Sequence, residues 1–170
     1  MERHERRVYN VCLRMVGDVD DASDATQDAF LIAYRRLSSF RGEAAFATWL
    51  HRVAVNASYD VLRKRRRAPL VASAEDRPAE ERTPPAPDHA DDTTDAIRMR
   101  RALLAIPEEF RAVLVLHDAQ DVPVQEVADI LGVPVGTVKS RLHRGRVALG
   151  RALGVGEPEE SGRPSKGRIR

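Results

Sequence analysis

Between Pro123 and Leu153 the chain reads PVQEVADILGVPVGTVKSRLHRGRVALGRAL, with apolar residues at helical spacing on both sides of a break at Gly132, Val133 and Pro134. Glycine tolerates the left-handed conformation that ends a helix, and proline can open the next one without losing a needed N–H. The stretch therefore predicts two helices joined by a tight turn, a helix-turn-helix. In the first helix Val124, Val127, Ala128 and Leu131 share one face, with Gln125, Glu126 and Asp129 opposite. In the second, Val138, Leu142, Gly145, Leu149 and Leu153 form the inward stripe, and Gly145 leaves room for close packing. The outward face carries Lys139, Ser140, His143, Arg144 and Arg151. Cations and hydrogen-bonding groups opposite the packing stripe, near the start of the second helix, suit the reading of base edges in a major groove. A solvated basic helix in an ordinary bundle would show the same face, so the stretch alone leaves both readings open.

The rest of the chain favours an all-α protein of two small helical domains joined by a flexible linker, the second domain being the helix-turn-helix. Ala, Leu, Arg and Glu are plentiful and no alternating β-branched run occurs among the 170 residues. The net charge of +2 hides a strong asymmetry. Residues 35–67 hold nine cations against two acids and residues 135–170 nine against three, whereas residues 68–95 hold two cations against eight acids. Two basic blocks separated by an acidic spacer suit two separate polyanion contacts, since each neutralised phosphate needs its own Lys or Arg. The single cysteine, Cys12, cannot form an internal disulfide, which points to a reducing cytoplasm and an inert thiol. No signal-peptide core and no apolar run of membrane-spanning length occurs, so neither secretion nor membrane insertion is expected.

In chain order, His4 to about Met15 predicts an amphipathic helix with Val8, Val11, Cys12 and Met15 inward and Gly17 as its stop. The next helix places Ala22, Ala25, Ala29, Ile32, Ala33 and Leu37 inward. Its outward acids, with Asp21, Asp24, Gln27 and Asp28, suit either a helix N-terminal dipole or docking on a basic protein surface. From about Ala44 to Arg66 a third helix gathers Phe46, Leu50, Val53, Ala54, Ala57 and Val61 on one face, begins with the only tryptophan, Trp49, and ends in Arg63, Lys64, Arg65, Arg66 and Arg67. Five cations exceed what capping a helix end requires. Aromatics, an asparagine and arginines on one helix can hold single-stranded nucleic acid, although Trp49 and Phe46 could equally serve the core. The Pro- and acid-rich stretch from Ala68 to about Thr94 reads as a flexible linker. Two helices, Asp95 to Ala105 and Pro107 to about Gln120, precede the helix-turn-helix, and the basic tail from Gly154 reads as disordered.

Three blocks in this order, DDASDATQDAF, FRGEAAFATWLHRVAVNASYDVLRKRRR and LLAIPEEFRAVLVLHDAQDVPVQEVADILGVPVGTVKSRLHRGR, resemble a bacterial sigma factor of the extracytoplasmic-function (ECF) group of the sigma-70 family. The resemblance implies a region 2 domain over 1–67, the linker over 68–94, a region 4 domain over 95–153 and the tail over 154–170. It implies a subunit that binds core RNA polymerase and directs initiation at promoter DNA, in the cytoplasm, with no catalysis, cofactor, metal or small-molecule substrate of its own, and an anti-sigma factor as partner. Position by position, Asp21, Asp24, Gln27 and Asp28 match the surface for the polymerase clamp helices. Phe40, Arg41, Gly42, Glu43 and Phe46 match the loop that receives a flipped minus-ten base; Trp49, His51, Arg52 and Asn56 match the melting helix, with Arg63, Arg65 and Arg66 on the backbone. Thr137, Lys139, Ser140, His143 and Arg144 match minus-thirty-five contacts, while Arg141 is expected to touch phosphate or pack beside it. The chain departs from the family in having Ser23 and Ala25 beside Asp24, and His51 where an aromatic is common. The family also commonly has a further helix ahead of the first one. The competing reading is a stand-alone helix-turn-helix regulator of duplex DNA; a nuclease would need converging carboxylates and a metal site that the sequence does not supply.

Overall fold

The computed structural model describes residues 2–39, 46–67 and 93–155, and these form seven α-helices with no strand among them. The loop residues Phe40, Arg41, Gly42 and Glu43, nearly all of the linker and nearly all of the tail lie outside the described residues.

Helices α1 (Glu2–Val16), α2 (Val19–Arg36) and α3 (Phe46–Arg67) pack on one another as a three-helix bundle. In α1 the apolar residues Val8, Val11, Cys12, Met15 and Val16 recur at i, i+3, i+4, i+7 and i+8, and all are essentially unexposed. Helix α2 offers the alanines 22, 25, 29 and 33 instead, each at most 3% exposed. A stripe without long side chains lets the neighbouring backbones approach closely, and alanine carries no helix penalty. Asp18 caps α2, its carboxylate accepting from the Asp21 N–H at 3.1 Å. After Arg36 the chain tightens into a 3₁₀ turn, Leu37–Ser39, so Leu37 leaves the inward stripe expected of it and is 48% exposed.

Helices α4 (Thr94–Ala105), α5 (Glu108–His117), α6 (Val124–Leu131) and α7 (Val135–Leu153) form the second unit. Helix α5 stops at His117, short of the expected Gln120, and His117 Nδ1 meets the Val122 carbonyl across the turn at 2.8 Å. Gly132 caps α6 at φ 66°, as the turn between α6 and α7 requires. Gly145 sits over α5, where an added Cβ would lie 3.2 Å from Leu114 and 3.3 Å from Phe110. Along α6 the residues below 9% exposure are Val127, Ala128 and Ile130, whereas Val124 and Leu131 of the expected stripe are half-buried. Ile130 is covered because α6 packs on α3 as well as on α7.

The two units share one continuous apolar core. Helix α1 packs on α4 and α5, and α3 packs on α6. Arg111 of α5, 5% exposed, lies at the seam: its Nε donates to the Leu103 carbonyl at 2.8 Å, its Nη2 to Leu104 and Ile106 at 3.1 Å each, and its Nη1 to Met15 at the end of α1. Beside it Leu104 sits over Gly17, where an added Cβ would lie 2.2 Å from the leucine Cδ1. Gly17 also ends α1 at φ 79°, so both its backbone and its bareness are used. Lysine cannot replace the planar fork of Arg111, because one ammonium reaches fewer carbonyls than a guanidinium and leaves the others unpaired in the interior. We expect Arg111→Lys to lower the unfolding free energy by about 2–3 kcal/mol, read from urea denaturation.

Candidate nucleic-acid interface

On α7 the outward residues Lys139, His143 and Arg144 are exposed, one turn apart or adjacent, and Ser140 and Thr137 are half-buried beside them. This face is braced from below. Ser140 Oγ donates to the Thr137 carbonyl at 3.0 Å, Arg144 Nη2 donates to Ser140 Oγ at 3.3 Å, and the Arg144 guanidinium stands 5.8 Å from the centre of the Phe110 ring. Arg141, half-buried, pairs with Glu109 of α5 at 3.6 Å. Arg146 grips Asp118 with two hydrogen bonds of 3.0 and 2.6 Å, fixing α7 against the end of α5. Neither Phe110 nor Asp118 stood out in the sequence, since nothing local marks a partner about thirty residues away.

The expected minus-ten residues of α3 divide differently. Phe46 and Trp49 are half-buried with ring centres 5.6 Å apart, and His4 of α1 meets Phe46 edge-on at 5.4 Å. Asn56 is exposed. Thr48 and His51, at 8% and 6% exposure, are buried instead, Thr48 against Glu126 of α6 and His51 with Arg7 and His4 of α1 and Glu126 around it. Thr48 Oγ1 donates to Glu126 Oε2 at 2.6 Å, and Arg52 donates through Nε to the Ile130 carbonyl at 3.3 Å and through Nη2 to the Asp129 carbonyl. Thr48, Arg52, Val55, Tyr59, Leu62 and Arg66 follow one another at helical spacing, a second buried or partnered stripe beside the expected one. At its far end Arg66 pairs with Glu108 of α5 at 3.3 Å.

The remaining cations and the acidic face of α2 meet each other. Asp24, Gln27 and Asp28 are exposed and line a shallow groove between α2 and α3 that also includes Lys64 and Arg65. Asp21 is engaged there: Arg65 pairs with it at 2.5 Å and also reaches Asp18 at 4.0 Å and the Val16 carbonyl at 3.3 Å. Arg63 pairs with Asp60 one turn back, at 3.3 Å. Two groups expected to serve different partners, Asp21 and Arg65, are thus each other's counter-ions. Among the described residues no three His, Cys, Asp or Glu side chains lie together as a metal site would need. Burial pushes the Cys12 thiol up from its ordinary value.

A helical bundle with an acidic groove, fused to a helix-turn-helix with a braced basic face, defines a two-domain DNA-binding transcription protein. The family descriptions Sigma-70 region 2 and Sigma-70, region 4 match residues 1–68 and 96–149. The chain is 40% identical over 152 residues to the ECF RNA polymerase sigma factor SigM of Mycobacterium tuberculosis, covering 89% of this chain and 74% of that protein. It is 35% identical over 159 residues to SigW of Bacillus subtilis, covering 88% and 84%. In three dimensions it resembles the sigma factor RpoE of Bartonella quintana in complex with the anti-sigma factor NepR, with a TM-score of 0.72, 25% identity and coverage of 90% and 93%. The chain belongs to the ECF group of the sigma-70 RNA polymerase sigma factors.

His51 lends this interface a pH dependence. Burial is the largest cause holding its pKa below the ordinary 6.5, Arg7 and His4 of α1 add to it, and Glu126 of α6 opposes it. The unfolded chain therefore binds the proton more readily, and this contribution to stability is present above about pH 6.5 and lost below it. The melting temperature should fall between about pH 7.5 and about pH 5.5, and by a smaller amount in His51→Gln, as calorimetry at matched ionic strength would measure.

Proposed function

We propose that residues 1–67 dock on core RNA polymerase and hold the melted minus-ten element, and that residues 95–153 read the minus-thirty-five element as duplex. The exposed Asp24, Gln27 and Asp28, with Asp21 set back beside Arg65, form the docking face for a basic polymerase surface. Trp49, Phe46, Asn56 and the arginines of α3, with Phe40 to Glu43 ahead of them, receive the extruded base and its backbone. A flipped base costs a few kcal/mol of stacking, which a pocket and phosphate contacts offset. Lys139, Ser140, His143 and Arg144 read base edges, and Thr137 and Arg141 lie beside the phosphates. The chain works in the cytoplasm with the polymerase, contributes no chemistry itself, and is held in check by an anti-sigma factor, as the likeness to RpoE bound to NepR supports.

The observation that carries this reading is the order of parts in one chain: acidic helix, aromatic and basic helix, then a braced helix-turn-helix, each half matching its sigma region. Transcription in vitro with core polymerase is the test. Promoter-specific transcripts from a genomic promoter pool should need this chain; tight operator binding that is indifferent to core would favour a stand-alone regulator. Asp24→Arg should weaken core binding about ten-fold, in line with a desolvated charge reversal, while leaving binding to minus-thirty-five duplex unchanged. Arg144→Ala should cost about 1–3 kcal/mol of discrimination at one base pair, seen by comparing duplexes that differ there.

A further inference from the structure

Three arginines of α7 are held by α5, and the chemistry of the three contacts differs. Arg141 and Arg146 meet carboxylates, Glu109 at 3.6 Å and Asp118 at 3.0 and 2.6 Å. Arg144, between them in sequence, meets neutral groups. Among the described residues its partners are the Phe110 ring, whose centre lies 5.8 Å from the guanidinium carbon, and Ser140 Oγ at 3.3 Å. A carboxylate holds a guanidinium through charge-assisted hydrogen bonds and so spends its donors. An aromatic face attracts the same charge and spends none of them. With one N–H given to Ser140, the remaining donors of Arg144 stay free for a ligand while the group is kept in place.

The ring is itself fixed. Phe110 lies in the first turn of α5, its N–H donating to the Pro107 carbonyl at 3.0 Å, and its half-buried side chain packs against the core. Helix α7 comes close to α5 at Gly145, the neighbour of Arg144, where an added Cβ would stand 3.3 Å from Phe110 Cβ and 3.2 Å from Leu114 Cδ1. The bare Cα at that point lets α7 lie directly on α5 and brings the guanidinium within reach of the ring.

We propose that Phe110 is a positioning residue for base reading: from α5 it holds the Arg144 guanidinium in the orientation that contacts one base pair, and the aromatic ring sets how sharply that pair is discriminated. This rests on the reading of α7 as the minus-thirty-five helix. Phe110 touches no DNA in this role and acts only through Arg144. An untethered arginine samples many rotamers, and a wrong base pair can be met by another of them. Holding the group by ring and hydroxyl removes those alternatives, so a wrong pair leaves its donors unmet.

The test uses the full chain with a fluorescein-labelled duplex that the unmodified chain and core polymerase select from a randomised minus-thirty-five pool, and with the single-pair variants of that duplex. Arg144→Ala marks the base pair that Arg144 reads, as the position where discrimination flattens. Phe110→Leu, which keeps an apolar side chain but no ring, should lower discrimination at that same pair about two- to five-fold, the scale of one exposed cation–π contact. Discrimination at the other pairs and the slope of affinity against salt should stay as they are, because no phosphate contact is lost. Phe110→Tyr, which restores a ring, should keep the discrimination. Phe110→Leu added to Arg144→Ala should change nothing further. Urea melting checks that each variant folds, and Phe110→Met repeats the measurement should Phe110→Leu melt early. Equal loss of affinity for every duplex in Phe110→Leu, with discrimination intact, would make Phe110 a packing residue and overturn the proposal, as would additive losses in the double variant. If Arg144→Ala flattens no position, the reading of α7 falls and the positioning role with it, an outcome distinct from loss of the Phe110 effect alone.

Discussion

The guanidinium of Arg111 is buried and, among the described residues, is held by main-chain carbonyls rather than by an ion pair, and the placement of the two domains depends on how that charge is accommodated. An isolated cation in a protein interior is costly unless its donors are filled. Here they are filled by four main-chain carbonyls, three where α4 ends and one where α1 ends. Those carbonyls lie at helix ends, where donors from within the helix run out, although the Leu103 carbonyl also accepts from the Ile106 N–H at 3.4 Å. Because the acceptors come from both domains, the arginine fixes the end of α1 against the end of α4. Leu104, whose own carbonyl is one of the four, then lies over the bare Cα of Gly17.

The same solution recurs where α3 meets α6. Arg52 serves the carbonyl end of a helix in the other domain, as Arg111 does, but at the surface and with a carboxylate, Glu126, close by. The two contacts differ in what they can give up. Arg111 is walled in on all sides and its bonds to α4 lie within its own domain, so losing them harms the domain itself. Arg52 keeps one side open to solvent and can exchange α6 carbonyls for other acceptors at little net cost.

Much of this was legible in the sequence, and what was not has a common cause. The seven helices, the Gly132–Pro134 turn, the inward stripe of α1 and the alanine stripe of α2 follow from periodicity and from Gly and Pro chemistry, which are local signals. The braced residues of α7 were legible as an outward face, though Phe110 and Asp118 beneath them were not. Helix α3 shows the limit most clearly. Its stripe through Leu50, Ala54, Ala57 and Val61 is marked by apolar residues, whereas in the second stripe the apolar Val55 and Leu62 alternate with Thr48, Arg52, Tyr59 and Arg66, so that it looks like solvent-facing helix. Its partners, Glu126, the Asp129 and Ile130 carbonyls and Glu108, lie forty residues or more away along the chain. Ile130 carried the one clue, an apolar residue off the expected face of α6.

The two faces proposed for nucleic acid are in different states of readiness, and the difference matches what each would bind under that proposal. Duplex DNA presents its base edges without being opened, so the face of α7 gains from being preformed: Arg144 is steered by Ser140 and Phe110, and little side-chain freedom remains to be lost on binding. A melted strand exists only after stacking has been broken, so a strand-holding face has no specific task before then. Left uncovered, the run of cations on α3 would draw any single-stranded polyanion, because such attraction is insensitive to sequence. Pairing those cations with Asp18, Asp21, Asp60, Glu108 and the end of α6 lowers that background, and each pair is an exposed or half-exposed contact that a phosphate can replace.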